Sequence, residues 1–288
     1  MLNFSWHWSP GTLIFLLILC LLYGSGVWQA HRRDPSNTPL KTYHLLAFGT
    51  AILGIALVML TPIDTIARTQ LFAVHMLQAV VLITVCGPML LFACPRWLLQ
   101  PLVQHPWVQP IARFLTKPVI ASGIFNLTFL LWHAPGPFHF ALQHGTVYHV
   151  ELLSILLTSL LNWWPLIGSV RELRNMSYPM QMLYAFVDGQ PVDIFAFLLV
   201  FTGTLFYPYY TIPSQLAQFG VSPIADQTIG GALLLLPGLV DLVVMSPLFF
   251  RWLGQIEEKA KVADQQRQEE MEAEAALLEM ESIETSEA

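Results

Sequence analysis

The sequence predicts an all-α membrane protein, a bundle of about seven transmembrane helices with a kinked sixth helix. Composition is the first reason, because 55% of the 288 residues are hydrophobic and only 11% are charged, whereas a soluble domain carries about 25% charged residues. The second reason is a series of seven apolar stretches of roughly membrane-spanning length. The third is that the basic residues fall almost entirely in alternate loops.

The seven apolar stretches are separated by breaks rich in proline, glycine and charge. They are Gly11–Ala30, Tyr43–Thr61, Gln70–Ala93, Pro118–His133, Thr146–Gly168, Met182–Tyr207 and Thr228–Phe250. Residues 1–254 are therefore predicted to form one seven-helix transmembrane domain. Residues 255–288 hold 11 acids and three bases without proline or glycine. We expect this segment to be an acidic cytoplasmic tail with a tendency to form a helix.

The distribution of lysine and arginine predicts the orientation of the bundle. Twelve of the thirteen bases fall on one side of the predicted spans, and Arg68 alone falls on the other. Cytoplasmic loops are enriched in these residues, so the N-terminus is predicted outside and the C-terminus in the cytoplasm. The number of spans must then be odd. No large basic patch indicates a nucleic-acid partner, and the lipid bilayer is the predicted environment.

Histidines gather on the predicted outer side. The outer loop at residues 134–145 contains no lysine or arginine that would repel a cation. The histidines are His7, His75, His133, His139, His144 and His149. Imidazole suits zinc, copper, iron or nickel, and imidazole together with the thioether of a methionine suits copper. A second interpretation stays open, in which these are interfacial side chains that bond to the backbone or to lipid headgroups.

A metal site is predicted where three of these histidines reach a similar depth. His133 ends the fourth span and His149 lies in the first turn of the fifth, so a short outer loop joins them. His75 lies about one and a half turns into the third span, which is a comparable depth. We expect His75, His133 and His149 to converge, with Met76, His139 and His144 as further ligands.

Three acids lie at membrane depth in the last two spans. Asp188 and Asp193 flank Gly189-Gln190-Pro191, and Asp241 follows Pro237-Gly238. A carboxylate is expensive in a bilayer and usually faces the bundle interior. Two interpretations stay open: a polar track for protons or a cation, or protonated acids bonded to carbonyls freed near the prolines. Pro191 predicts a kink or a short unwound turn.

Several runs of sequence resemble, in order, the CtaG family associated with caa3-type cytochrome c oxidase. They are His75-Met76-Leu77-Gln78, Gly87 to Pro95, Trp132 to Phe138, Tyr148-His149-Val150-Glu151, Trp163-Trp164-Pro165-Leu166, Tyr207-Pro208-Tyr209-Tyr210 and Asp226 to Gly231. The resemblance covers residues 40–250. It implies a seven-helix protein of a bacterial plasma membrane that is needed to assemble a haem-copper oxidase, with copper delivery as its task.

The sequence departs from the family pattern at two places. Ala79 stands where a second histidine is common, and Leu234-Leu235 stand where a Met-Trp pair is frequent. The remaining histidines would carry the copper role. The resulting hypothesis is an assembly factor, not an enzyme, that holds copper transiently at the outer face for delivery to an oxidase subunit. The alternatives are a cation transporter using Asp193 and Asp241, and a redox protein with haem held by His75 and His149.

Overall fold

The computed structural model describes residues 2–6, 8–36, 38–174 and 176–287, with side chains described up to residue 275. All regular structure in these ranges is helical, as the sequence predicts. The α-helices are α1 Pro10–Arg33, α2 Thr42–Leu60, α3 Pro62–Thr69, α4 Phe72–Ala93, α5 Arg96–Val103, α6 Val108–Leu115, α7 Pro118–Trp132, α8 Pro135–Gln143, α9 Gly145–Ile167, α10 Tyr178–Phe201, α11 Ser214–Gln218, α12 Pro223–Leu234 and α13 Leu236–Glu287.

Among the described residues, six helical segments are long and apolar enough to cross a membrane. They are α1, α2, α4, α9, α10 and the pair α12–α13. The helix α7 has 15 residues, which is about 22 Å at 1.5 Å per residue and shorter than a bilayer core of about 30 Å. It reaches spanning length only together with α6, from which it is bent by 75°. The bundle therefore has six spans, or seven with the bent pair.

The sixth predicted span, α10, is a single helix from Tyr178 to Phe201 with Pro191 inside it. The helix continues through Gly189-Gln190-Pro191, so no unwound turn is present there. The kink stays a prediction based on the N–H that Pro191 lacks. The seventh span is divided at Leu235, where α12 ends and α13 begins. The second helix then continues into the acidic tail.

A π-helical turn interrupts α4 at Leu82–Cys86, just before Gly87-Pro88. Pro88 has no N–H to donate to the carbonyl one turn earlier, which accounts for a wider turn at this position. Next to this turn the indole N–H of Trp163 donates to the carbonyl of Ile83 at 2.8 Å. Trp163 is thus a buried anchor between α4 and α9.

The start of α4 is held in place by α12. The buried carboxylate of Asp226 accepts hydrogen bonds from the backbone N–H groups of Phe72 and Ala73, at 2.7 and 3.1 Å. These are N–H groups of the first helical turn, which have no partner within the helix. Gly230, one turn further along α12, lies against Phe72, because a Cβ there would come within 2.6 Å of the ring. These contacts fix the turn that carries His75.

Candidate metal centre

Two histidines and a glutamate meet in the protein interior, at the end of the bundle where α7 stops and α9 starts. His75 lies in the first turn of α4, His133 directly follows α7, and Glu151 lies in the second turn of α9. Their side chains are 0%, 1% and 0% exposed. The two histidine Nε2 atoms are 3.3 Å apart. Glu151 Oε1 is 3.3 Å from Nε2 of His75 and 3.9 Å from Nε2 of His133. These three residues are called the histidine cluster, and this end of the bundle the histidine end.

The protonation pattern of His133 follows from its other ring nitrogen. Nδ1 lies 2.7 Å from the carbonyl oxygen of Phe129, one turn earlier in α7. A carbonyl only accepts, so Nδ1 must carry the proton and donate it. In a neutral imidazole, Nε2 then has no proton and presents its lone pair to the histidine cluster.

A chain of hydrogen bonds gives His75 the same pattern. The amide nitrogen of Gln78 donates to the carbonyl of Val58, which turns its oxygen toward Tyr148. The Tyr148 hydroxyl donates to that oxygen at 2.5 Å. Its own oxygen is left to accept from Nδ1 of His75, at 2.9 Å. Nδ1 therefore carries the proton, and Nε2 of His75 is also a bare lone pair.

Glu151 completes a set of three acceptors that face one another. Within the described residues, neither of its carboxylate oxygens has a hydrogen-bond partner. Ligand atoms about 2.0–2.1 Å from a tetrahedral ion lie roughly 3.3 Å apart. The distances within the histidine cluster have this scale, and a cation is what such a set of acceptors can hold.

Aromatic rings enclose the histidine cluster. Phe129 stacks on His133 with ring centroids 4.1 Å apart, and the ring centroid of Phe138 in α8 lies 4.9 Å from that of His75. The hydroxyl of Tyr207 donates to the carbonyl of His133 at 2.5 Å. Burial, together with the charge of Glu151, raises the pKa of Tyr207, so this donor stays protonated. The shell keeps water away, which strengthens any charge interaction inside it.

His149, predicted as the third ligand, lies elsewhere. Its Nε2 is 3.2 Å from the carboxylate of Asp64 in α3, and its Nδ1 is 3.4 Å from the hydroxyl of Ser9. Successive residues of a helix are 100° apart, so His149 and Glu151 point to nearly opposite sides of α9. Tyr148 and Glu151 are three residues apart and share the inner face. The structure thus brings Glu151, not His149, to His75 and His133.

The other predicted ligands are also apart from the histidine cluster. Met76 belongs to the buried apolar core and packs against Gly230. His139 stacks on Tyr209 with ring centroids 3.9 Å apart. His144 donates from Nδ1 to the carbonyl of the residue four positions earlier, at 3.0 Å. His7 lies outside the described residues.

The pattern of outer histidines does not predict that Glu151, Tyr148 and Gln78 contribute to the site. A signal for Glu151 was available, since it is an acid inside a predicted span and the rule that singled out Asp188 applies to it equally. Tyr148 and Gln78 carry no comparable signal, because their roles depend on which helices adjoin.

The predicted intramembrane acids gather in the half of the bundle away from the histidine cluster. Asp188 accepts from the side-chain amides of Asn126 at 3.1 Å and Asn162 at 2.5 Å. Asp193 and Asp241 approach each other around Gly189, whose missing Cβ would lie 3.7 and 3.4 Å from their carboxylates. The three acids line one small recess of about 40 Å³. In these hydrogen bonds the Asp188 carboxylate accepts and the amides donate, so its polar partners are side chains rather than the carbonyls freed near the prolines.

Comparison with known protein families gives one result. The family described as cytochrome c oxidase caa3 assembly factor (Caa3_CtaG) matches residues 21–255. Neither curated proteins nor solved structures give a match. The family match spans most of the chain and includes every residue of the histidine cluster. The chain therefore belongs to the caa3-type cytochrome c oxidase assembly factor family.

Proposed function

We propose that this assembly factor holds a copper ion transiently at His75, His133 and Glu151 and passes it to a subunit of the haem-copper oxidase. The ion is cargo, and the protein catalyses no reaction. The observation that carries the proposal is the convergence of two unprotonated imidazole nitrogens on a carboxylate that has no other partner among the described residues.

The ligand set bears on the charge of the ion. Two nitrogens and a carboxylate oxygen suit divalent copper or zinc, whereas monovalent copper prefers thiolate and thioether sulfur. We therefore propose Cu²⁺ as the cargo. Of the three cysteines, Cys86 lies on α4 eleven residues after His75, Cys94 directly follows α4, and Cys20 lies on α1. None belongs to the histidine cluster.

A site with only three protein ligands also suits release of the bound ion. A structural metal site closes four positions with side chains, while a site that exchanges its ligand keeps one position open. A ligand from the oxidase could enter that position before the protein ligands leave. The hydrogen bonds from Nδ1 of both histidines orient the rings for this task, as outer partners do in other metal sites.

The side of the membrane follows from the charges. Twelve of thirteen bases lie on one side of the predicted spans, and the histidine end is the opposite one. The rule that basic loops stay in the cytoplasm supports an extracytoplasmic site in a bacterial plasma membrane.

The two alternatives have less support. A haem between His75 and His149 would need a ring-sized gap, but His75 faces His133 at 3.3 Å and bonds Tyr148 on its other side. For a transporter, a polar path would have to join the acids to the histidine cluster. The buried side chains of Ile83, Phe125, Phe129 and Val192 belong instead to one apolar cluster at intermediate positions along α4, α7 and α10.

Metal titration of the purified protein tests the proposal. We expect the wild-type chain in detergent to bind one Cu²⁺, and the variants His75→Ala and His133→Ala to lose at least tenfold in affinity. His105→Ala, at the other end of the bundle, is the control and should bind like wild type. In cells, the same two variants should leave the oxidase short of copper. Unchanged binding in both cluster variants would refute the site while leaving the family assignment intact.

A further inference from the structure

A basic recess lies at the end of the bundle opposite the histidine cluster. Three segments form it: the end of α6, the N-terminal residue before α7, and the connection between α9 and α10. It has a volume of about 250 Å³ and is lined by Arg113, Lys117 and Arg174 among others. A second recess of about 340 Å³ adjoins it, shares Arg174 and adds Arg171.

These positive charges have no paired counter-charge within the part of the chain that the structure describes. Among the described residues, no acid forms an ion pair with Arg113, Lys117, Arg171 or Arg174. Glu172 lines the first recess, but its carboxylate pairs with Arg96. The tail acids Glu257 and Glu258, which follow Gln255 at the second recess, form no ion pair with these bases either.

Among these bases, Arg174 is the one whose positive charge is most clearly disfavoured by its surroundings. One of its N–H groups donates to the carbonyl of Leu166 at 3.0 Å. Partial burial, and then the neighbouring charges of Arg171 and Arg251, lower its pKa. Cytoplasmic loops generally carry bases, but that rule does not require three separate segments to bring them to one recess. An anion is the partner that would offset this repulsion.

The surroundings of the recess indicate where the anion comes from. Pro118 and Pro165, at the ends of the membrane helices α7 and α9, line it, so it lies at the level of the membrane interface. The adjoining helices continue from it with exposed apolar side chains, namely Val119 on α7 and Met180 and Leu183 on α10. Such faces accommodate acyl chains. A soluble phosphate would need no apolar surface beside its site.

We infer that Arg113, Lys117, Arg171 and Arg174 bind the phosphate headgroup of an anionic phospholipid between α7 and α10. Guanidinium groups suit this ligand because they pair with phosphate oxygens in a bidentate manner. Basic pockets between membrane helices on the cytoplasmic side are a recurrent way of recognising such headgroups. The bound lipid would hold the bent α6–α7 pair against the start of α10.

The test is a titration of the full-length protein in a neutral detergent with short-chain phosphatidylglycerol. Phosphatidylcholine of the same chain length and inorganic phosphate are the comparison ligands. We expect phosphatidylglycerol to bind, phosphatidylcholine to show no saturable binding, and inorganic phosphate to bind at least tenfold more weakly. The double variant Arg171→Gln/Arg174→Gln should bind phosphatidylglycerol about thirty-fold more weakly, since each base near the surface contributes about 1 kcal/mol.

The matched control is Arg32→Gln/Arg33→Gln in the last turn of α1, which removes the same charge at the same end and should change affinity less than threefold. Circular dichroism checks that each variant is folded, and Lys117→Gln, with an expected loss of about fivefold, replaces the double variant if that one is unfolded. Equal binding of phosphatidylcholine, or an equal loss in the control, would overturn the proposal. Inorganic phosphate binding as tightly as the lipid would overturn it in favour of a soluble anion.

Discussion

At the scale of single residues, the distinctive feature is a carboxylate that has no hydrogen-bond partner among the described residues and lies beside two imidazole lone pairs. A buried polar atom without a partner costs about 1–3 kcal/mol, and a charged one costs more. Glu151 is 0% exposed and lies against His75 and His133. An arrangement of this kind lowers stability in the metal-free protein and is tolerated where a cation binds.

Glu151→Gln should separate metal binding from stability. The amide of glutamine has N–H groups that can donate to the Nε2 atoms of the histidine cluster, so the metal-free variant should melt at least as high as metal-free wild type. Its copper affinity should fall at least tenfold, because the charge is gone. Thermal melts with a chelator and copper titrations measure the two effects. Glu172→Gln, which loses only a surface pair with Arg96, is the control, and wild-type copper affinity in Glu151→Gln would contradict the assignment.

Tyr148→Phe should weaken metal binding without removing it. The change leaves Nδ1 of His75 and the amide oxygen of Gln78 unpaired, and loss of such an outer partner typically costs 10–100-fold in metal affinity. Tyr184→Phe is a matched control, since that buried hydroxyl bonds to Asn162 in the other polar cluster. A competition titration should show weaker binding only for Tyr148→Phe. Equal losses in both variants would indicate a general effect of destabilisation.

At the scale of elements, helix periodicity decides which of the predicted residues meet. The depth argument correctly brings His75 and His133 together, because it needs only the ends of two neighbouring spans. It fails for His149, because depth says nothing about direction around α9. Tyr148, Glu151 and Leu152 are all buried, and they define the inner face, from which His149 is turned away toward Asp64. Only the packing of α9 against α4 could reveal that direction.

Some of the sequence runs that resemble the family have structural roles. The segment from Asp226 to Gly231 resembles the family, yet its residues bind no ligand in the interpretation given above. Asp226 caps α4, and Gln227 accepts from the backbone N–H of Phe206 at 2.7 Å, which anchors the loop carrying Tyr207. Asp226 contacts residues more than 150 positions away in the sequence. No local sequence pattern specifies such a role.

Gly230→Ala should disturb the packing of α12 on α4. The new Cβ would lie 2.6 Å from the ring of Phe72, which cannot easily move because it stacks on Tyr207 with ring centroids 4.4 Å apart. Overpacking of this kind costs about 1–3 kcal/mol. Gly238→Ala, where no atom lies within 4 Å, should be neutral or stabilising by up to about 1 kcal/mol. Thermal melts in one detergent compare the two, and equal stability would contradict the close contact.

At the scale of the whole molecule, composition and the length of the apolar stretches suffice to predict an all-helical membrane bundle. They do not reveal that α7 is too short to span alone and is bent by 75° from α6. Thr116-Lys117-Pro118 causes this break, since Pro118 disfavours a helical conformation of the residue before it. An apolar layer separates the two polar clusters, one with histidines and one with aspartates. The sequence of any one span does not predict this separation.

Cysteine labelling tests the orientation of the bundle. Because twelve of thirteen bases lie on one side, we expect an impermeant maleimide added outside to modify Gly136→Cys and to leave Ala263→Cys unmodified in a background without the native cysteines. Permeabilised cells should show labelling of both, which controls for accessibility. The reverse pattern would place the histidine cluster on the cytoplasmic side, and delivery of copper outside the membrane would have to be abandoned.

X-ray absorption at the copper edge is the measurement that most directly tests the central claim, that the ion is held by His75, His133 and Glu151. Wild-type protein loaded with one equivalent of Cu²⁺ should show two imidazole nitrogens, and oxygen rather than sulfur, at about 2.0 Å. His133→Ala should lose one imidazole, and His149→Ala should leave the spectrum unchanged. A sulfur ligand, or a spectrum unaffected by His133→Ala but altered by His149→Ala, would contradict the account.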